Sequence, residues 1–292
     1  MTAMPAVRDT FAVICKGTDR LVPTPLAYGF CFGEGPRWFE GLLWFSDMVG
    51  EAVHTSDMRG SLTTLALPGH APAGLGFRPD GSLLIASTED RLVLRYDGET
   101  VVTVADLTDL APASLGDMVI DDAGRAYVGS QAYSGGVIIC LDPDNTATAV
   151  AEDLDFPNGM VITPDGKTMI VAESIGRRLT QFTISEGGAL SDRRVFADGL
   201  DGPPDGIALD AEGGVWTSMT LAHQFERIIA GGTVTDRIDM GERVAIACTL
   251  GGPERRTLFL LSSTDAYPTR LVGTRHSRLD TVTVDTPGAG RP

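Results

Sequence analysis

Residues 158–173 read NGMVITPDGKTMIVAE, which is a short apolar strand, a tight turn at Pro164-Asp165-Gly166 and a second, strongly apolar strand. Glycine supplies the positive φ that such a turn requires. The same internal register returns in five other segments, which are GEGPRWFEGLLWFSD (33–47), AGLGFRPDGSLLIAS (73–87), GDMVIDDAGRAYVGS (116–130), DGIALDAEGGVWTSM (205–219) and IACTLGGPERRTLFLLSS (246–263).

The segments recur roughly every 39 to 47 residues, and a period in this range is typical of repeat architectures. Two more strands follow within a repeat, for example at residues 91–96 and 100–104. Four antiparallel strands per repeat, six times, predict an all-β six-bladed β-propeller. A β-sandwich is the alternative, but it does not explain the self-similarity. We expect one domain over residues 1–292, closed by residues 279–284 with help from residues around 10–16; which terminus supplies the closing strand stays open.

Composition excludes several classes of partner. The chain has 292 residues, 43% of them apolar, and a net charge of −16. Without a localised basic face, binding to nucleic acid or to an anionic membrane is not expected. No apolar run approaches the roughly 20 residues of a membrane helix. The N-terminal segment does not resemble a signal peptide, and Cys15, Cys31, Cys140 and Cys248 lack metal-binding spacing. These features predict a cytoplasmic protein with free thiols, either a monomer or a small homo-oligomer.

One register position carries the candidate functional residues. It is occupied by Glu34, Ala73, Gly116, Asn158, Asp205 and Ile246, and an apolar residue follows four places later in every repeat. The innermost strand of each blade borders the central channel, so Glu34, Asn158 and Asp205 are predicted to converge at one mouth. Their hard oxygen donors suit Ca²⁺, Mg²⁺ or Mn²⁺, with Zn²⁺ or Fe²⁺ not excluded. Taken singly, each is also a residue that turns favour, because each precedes a glycine.

Three stretches resemble a known family. GEGPRW with WFSD, FPNGMVITPDGKTMIVAES and PDGIALDAEGGVW are similar to signature segments of the SMP-30/gluconolactonase/LRE-like family, and the resemblance covers residues 29–285. It implies a six-bladed propeller with one catalytic divalent metal at the channel mouth and activity as a lactonase or related esterase. The family's metal-binding Glu, Asn and Asp fall on Glu34, Asn158 and Asp205.

The chain departs from the family pattern at one point. Members usually carry Asn-Asp where this chain has Gly116-Asp117. That Asn is a metal ligand or a substrate contact in relatives, and an Arg two residues earlier, which binds sugar lactones in some of them, is Ser114 here. The departure puts ordinary sugar-lactone specificity in doubt, and two interpretations stay open: a pocket enlarged for a bulkier substrate, or weakened activity. Asp117 and Ser114 remain candidate substrate contacts.

The resemblance implies metal-assisted hydrolysis of a cyclic ester, with Asp205 predicted as the base and Glu34 as the firmer ligand. Loops that lead into the inner strands are predicted to line the pocket, with His70 and Phe156 as candidate substrate contacts. The residues that end the second strands are predicted to lie at the opposite mouth; they are Asp47, Thr88, Ser130, Glu173, Met219 and Ser263.

Two kinds of alternative stay open. One is a metal-dependent aryl esterase or phosphotriesterase with the same side chains. The other is a non-hydrolytic propeller, either a small-molecule binder or a strictosidine-synthase-like enzyme. The sequence has no GxSxG elbow for a serine hydrolase, and no GxGxxG or GxxxxGK[ST] motif for a nucleotide cofactor.

Overall fold

The computed structural model describes residues 21–290, which form 24 β-strands and two 3-10 helices. The helices, Thr220–Ala222 and Pro268–Leu271, are single turns, and this part of the chain has no helix that could cross a bilayer. In chain order the strands are β1 (Thr24–Phe30), β2 (Gly33–Phe39), β3 (Leu42–Asp47), β4 (Ala52–Ser56), β5 (Leu62–Ala66), β6 (Pro72–Phe77), β7 (Leu83–Ser87), β8 (Leu92–Tyr96), β9 (Val101–Asp106), β10 (Leu115–Ile120), β11 (Ala126–Ser130), β12 (Gly136–Leu141), β13 (Ala147–Leu154), β14 (Pro157–Ile162), β15 (Thr168–Glu173), β16 (Arg178–Ile184), β17 (Leu190–Ala197), β18 (Pro204–Leu209), β19 (Val215–Met219), β20 (Gln224–Ile228), β21 (Val234–Asp239), β22 (Val244–Gly251), β23 (Thr257–Ser263) and β24 (Ser277–Thr283).

The strands form six four-stranded antiparallel sheets, which confirms the predicted propeller. Blades 1 to 5 are β2–β5, β6–β9, β10–β13, β14–β17 and β18–β21, each in chain order from the channel outward. Blade 6 is β22–β23–β24 with β1 as its outermost strand, so the N-terminal strand closes the ring.

The closing strand is only partly the one expected from sequence. Residues 279–284 largely overlap β24, as predicted, whereas residues 10–16 lie outside the described part of the chain. β1 escaped recognition because its pairing with β24 shifts twice, between Pro25 and Ala27 and between Tyr28 and Phe30. Each shift breaks the period-2 alternation by which a strand is recognised.

The apolar core lies between blades. Six buried clusters each join two neighbouring blades around the ring. Between blades 3 and 4, for instance, Tyr127 packs in one cluster with Met160 and Phe182. Burying a large apolar side chain contributes about 1.5–3 kcal/mol, so the ring is stabilised chiefly by contact between its blades.

A β-bulge near the start of the inner strands aims the register residues. Pairing with the second strand shifts between Glu34 and Arg37 in blade 1, and equivalent shifts occur in the other blades. Bulges of this kind re-aim side chains beside functional sites. The glycine after the register residue allows close approach, since a Cβ atom at Gly159 would lie 2.5 Å from Asp205 O. The inner strands of neighbouring blades are therefore closely packed around the channel.

The prediction for the ends of the second strands is wrong. Gly33 pairs with Asp47, and Pro157 pairs with Glu173. An antiparallel second strand ends beside the start of the first, so these ends lie at the same mouth as the register residues. They hold the loops there: Asp47, for example, accepts hydrogen bonds from the amides of Cys31 and Phe32 at 2.9 and 2.8 Å.

Glu173 anchors the loop that leads into β14. Its buried carboxylate accepts hydrogen bonds from Arg178 (2.7 Å), from Arg193 (3.1 Å) and from the Asp155 amide (2.8 Å). Burial alone would raise its pKa, but hydrogen bonds from Arg178 and Thr180 outweigh burial and lower the pKa to about 2.

Replacing Glu173 by Gln should destabilise the protein in a pH-dependent way. A folded-state pKa below the unfolded value contributes stability that is complete above pH 4.5 and is lost as the pH falls toward 2. Glu173→Gln should therefore lower the free energy of unfolding by about 3 kcal/mol at pH 7, and the difference from the wild type should shrink below pH 4.5. Urea unfolding between pH 7 and pH 3 measures it. Exposed Glu152→Gln is the control, and an equal loss at every pH would contradict the ion-pair explanation.

Candidate metal centre

The fold brings three register residues to one mouth of the channel. Glu34, Asn158 and Asp205 lie near the starts of β2, β14 and β18. Asn158 lies close enough to Asp205 to oppose the rise in the pKa of that carboxyl, and the charge of Asp205 helps to raise the pKa of Glu34. Side chains up to 171 positions apart in the sequence thus meet, as the repeat predicts.

The two carboxylates of this group disfavour each other's charge. Burial, followed by the charges of Asp205 and Asp117, raises the pKa of Glu34 well above its usual value. Burial and the charge of Asp117 raise the pKa of Asp205 to about 8, against an opposing hydrogen bond from Asn158. In the protein alone, a proton is therefore retained by this pair near neutral pH.

The donor set fits a hard divalent cation. Asp205 Oδ1 is buried and has no hydrogen-bond partner among residues 21–290. A buried carboxylate oxygen of this kind costs free energy unless a cation or a donor satisfies it. No three His, Cys, Asp or Glu side chains in this range are grouped so as to hold a metal, so a cation here would need the amide oxygen of Asn158 beside two carboxylates. Such oxygen donors suit Ca²⁺, Mg²⁺ or Mn²⁺.

Neighbours fix the direction of the Asn158 amide. Gln131 Nε2 donates to Asn158 Oδ1 at 3.1 Å, and Asn158 Nδ2 donates to Ser174 Oγ at 3.3 Å. Ser174 Oγ in turn donates to Pro204 O at 2.6 Å. Sequence reasoning missed both neighbours. Ser174 could have been noticed as the last residue of FPNGMVITPDGKTMIVAES, whereas nothing in the sequence pattern marks Gln131.

An ion pair crosses the channel below the register residues. Arg37 of blade 1 donates through Nη2 to Asp117 Oδ1 of blade 3 at 2.8 Å and also to Met118 O, and its Nη1 donates to Pro36 O at 2.8 Å. Arg37 and Asp117 are both buried. Asp117 thus balances Arg37, a role not predicted from sequence, although an arginine inside the inner-strand motif GEGPRW was a usable signal.

The remaining predicted contacts lie on loops at this mouth. His70 Nδ1 is 2.8 Å from Asp90 Oδ2 and 3.3 Å from Ser87 Oγ, so its hydrogen bonds stay within blade 2. The Ser114 carbonyl accepts from the backbone amide of Gln131 at 2.8 Å, while the Ser114 hydroxyl donates to Glu89 Oε1 at 3.4 Å. Phe156 precedes Asn158 by two residues and has a positive φ of 63°, which is rare for a bulky residue.

Backbone hydrogen bonds hold Phe156 in this strained conformation. Its amide donates to Ala132 O at 2.9 Å, and its carbonyl accepts from the Ser174 amide at 3.1 Å. Its ring lies edge-on to Tyr133, with centroids 5.5 Å apart. The loop before Asn158 is therefore tied to both blade 3 and blade 4.

Exposed apolar side chains lie on the loops of four of the six blades at this mouth. We call them the apolar rim. They lie on the loops after the second strands of blades 3 to 6, and they are Tyr133, Ile175, Leu221, Tyr267 and Val272. The corresponding loop of blade 2 is polar, with Glu89 and Asp90. The mouth thus carries exposed apolar side chains on blades 3 to 6 and acidic side chains on blade 2.

The opposite mouth is covered by the C-terminal segment. The Ala289 amide donates to Leu209 O at 2.9 Å, and Gly288 forms a β-bridge with Asp210. Residues 288–290 also line the cavity below Arg37. The C-terminal segment therefore lies at the mouth opposite Glu34, Asn158 and Asp205, which share theirs with the apolar rim.

Comparison with known proteins agrees with this picture. The sequence profile of the SMP-30/Gluconolactonase/LRE-like region matches residues 32–264. The chain is 28% identical to pentonolactonase XacC of Haloferax volcanii, over 79% of this chain and 81% of that protein. It is also 28% identical to a 6-deoxy-6-sulfogluconolactonase of Pseudomonas putida, over 79% of this chain and 83% of that protein.

A solved structure shares the fold. The calcium-binding protein regucalcin from Agrobacterium tumefaciens superposes with a TM-score of 0.80 at 22% sequence identity, and the match covers 94% of this chain and 97% of that one. At this identity the likeness establishes the propeller alone.

Proposed function

The chain belongs to the SMP-30/gluconolactonase/LRE-like family, and we propose that it is a divalent-metal-dependent hydrolase that opens lactone rings. The observation that carries the proposal is the buried, unpartnered Asp205 Oδ1 beside Glu34 and Asn158. The relatives named as lactonases support the reaction class.

Each residue of the centre has a role in this reaction. A bound divalent cation would polarise the lactone carbonyl and stabilise the charge that develops on its oxygen. Glu34, Asn158 and Asp205 would hold that cation, and Ca²⁺, Mg²⁺ or Mn²⁺ would fit their oxygen donors better than Zn²⁺ or Fe²⁺. Asp205 is the carboxylate of this group that we propose to accept the proton of the attacking water.

The substrate we propose is a lactone with an apolar or aromatic substituent. Gly116 and Ser114 offer no amide or guanidinium to hydrogen-bond a polyhydroxylated ring. The apolar rim offers instead a surface from which such a substituent displaces water. Tyr133 and Phe156, whose rings touch edge-on, suit an aromatic group.

A panel of lactones tests both the reaction and the substrate class. We expect aryl- and alkyl-substituted lactones to be hydrolysed with a higher kcat/KM than sugar lactones, and hydrolysis to stop after chelation. Tyr133→Ser and Leu221→Ser should each lower kcat/KM for the apolar lactones by about tenfold, because one apolar contact is worth about 1–3 kcal/mol. A pH-indicator assay of the metal-reconstituted protein measures these rates.

Val195→Ser is the matched control, because Val195 is equally exposed but lies on the outer strand β17. A higher kcat/KM for sugar lactones would contradict the proposed apolar substrate class but not the proposed hydrolysis of lactones. Full activity after chelation would contradict the metal-dependent reaction itself.

The same apolar rim favours one second candidate, an aryl esterase or phosphotriesterase, because aryl esters carry the group that Tyr133 and Phe156 would contact. Adding aryl esters and phosphotriesters to the panel separates the two. Binding of lactones without turnover would instead indicate the non-hydrolytic alternative.

We further propose a cytoplasmic location. Cys31, Cys140 and Cys248 are free thiols, which fits a reducing compartment, while Cys15 lies outside the described residues. Binding of a small-molecule substrate requires no particular oligomeric state, and we still predict a monomer or a small homo-oligomer.

A further inference from the structure

Gly116 leaves a gap in the ring of register residues, and Gln131 fills it. A Cβ atom at Gly116 would overlap the Gln131 amide nitrogen and Cδ, and would lie 2.8 Å from its Cγ. Real Cβ atoms show no contacts this short. The space that a side chain of β10 would occupy therefore holds the side chain that follows β11.

Gln131 belongs to a hydrogen-bond chain that joins three blades. Its Nε2 donates to Asn158 Oδ1, whose own Nδ2 donates to Ser174 Oγ. The Ser174 hydroxyl proton is already committed to Pro204 O, so Ser174 can only accept from Asn158. The NH₂ group of Asn158 therefore faces Ser174, and its Oδ1 faces Gln131.

We propose that Gln131 is a positioning residue of the candidate metal centre. Its side-chain amide takes the place left empty at Gly116 in the same blade, and it acts on the cation only by orienting Asn158. The inference rests on the proposed function, because it assigns Asn158 Oδ1 as a ligand. Partners that orient a metal ligand change metal affinity by about 10–100-fold when removed. Gly116 and Gln131 also depend on each other, since a side chain at Gly116 displaces the Gln131 amide.

Calorimetric titration with Ca²⁺ and Mn²⁺ tests the proposal without an activity assay. Gln131→Met keeps the side-chain length and removes the donor, and Gly116→Ala pushes the flexible Gln131 amide away. Each should weaken metal binding by about 10–100-fold. The double variant should bind no more weakly than the weaker single variant, because both changes remove the same contact.

Rescue distinguishes positioning from a structural role. Gly116→Asn combined with Gln131→Ala returns an amide to blade 3 from the inner strand, and should bind metal at least fivefold more tightly than Gln131→Ala alone. Gln181→Met, at a half-buried glutamine in β16, is the control and should bind as the wild type does. Thermal unfolding without metal verifies that each variant is folded.

The outcomes separate the two proposals. If the wild type binds neither cation, the proposed function fails. If the wild type binds and Gln131→Met binds equally well, only the role of Gln131 is overturned. If the losses in metal affinity added up in the double variant, or if Gly116→Asn restored no affinity, the inference that Gly116 and Gln131 serve one position would be wrong.

Discussion

Asp205→Ala is expected to lower kcat/KM for lactone hydrolysis by about 10³-fold or more, since it removes the proposed metal ligand and the proposed general base together. Asn158→Ala should also abolish metal binding and hydrolysis, because it removes a proposed metal ligand while leaving the proposed base in place. Asp205→Ala should fold, because Asp205 Oδ1 has no partner within residues 21–290 that the change would orphan. Asn158→Ala removes the hydrogen bonds to Gln131 and Ser174, so thermal unfolding must first verify that this variant is folded. Calorimetry with the metal and initial rates on the best lactone of the panel measure the two losses.

Asp205→Asn separates the two roles of this residue. It keeps an oxygen donor and removes the base, so metal binding should weaken but persist while hydrolysis is lost. Asp144→Ala, at an exposed turn of the far mouth, is the control. If Asp205→Asn retained wild-type turnover, Asp205 would not be the base, and Glu34 would be the next candidate.

The metal-free stability of the same variant depends on pH. The folded-state pKa of Asp205 is raised from 3.8 to about 8, so its contribution to stability is complete below pH 3.8 and is lost as the pH rises toward 8. Without metal, Asp205→Asn should therefore gain stability relative to the wild type between pH 4 and pH 8. With saturating metal the order should reverse, because the wild type binds the cation more tightly.

The repeat made much of the molecule predictable. Equivalent positions of a repeat occupy equivalent places in space, so aligning Glu34, Asn158 and Asp205 was enough to place them at one mouth. The turn and strand patterns were equally regular, and they gave the number of blades. The end of each second strand was predicted at the wrong mouth, because the direction of the strand was considered without its pairing to the first strand. Glu173, at the end of β15, lies opposite Pro157, beside the centre.

What could not be predicted depends on contacts outside the register. Gln131 follows a second strand, and only the empty volume at Gly116 brings its amide to Asn158. The partner of Arg37 is 80 residues away, and no periodicity links the two. Side chains can contact each other across the channel only once the ring has closed, so the strand pattern of the sequence cannot predict such contacts.

Arg37→Met is expected to be the most destabilising single change at the centre. Asp117 would remain buried beside Glu34 and Asp205 without a cation to balance it. Removing one partner of a buried ion pair costs about 3–5 kcal/mol. Urea unfolding of the metal-free protein at pH 7 should show a loss of that size, with Arg59→Met, at an exposed arginine of blade 1, as the control.

A second substitution, at Asp117, and added metal test whether the loss of charge at Arg37 causes the destabilisation. Arg37→Met combined with Asp117→Asn should recover most of the lost stability, because a buried pair replaced on both sides is often neutral. Saturating Ca²⁺ or Mn²⁺ should stabilise Arg37→Met by more than it stabilises the wild type, since the cation would balance three carboxylates that have lost their arginine. If Asp117→Asn rescued nothing and metal stabilised both proteins equally, Arg37 would support the channel by packing rather than by charge, and the electrostatic link between the ion pair and the candidate metal centre would have to be abandoned.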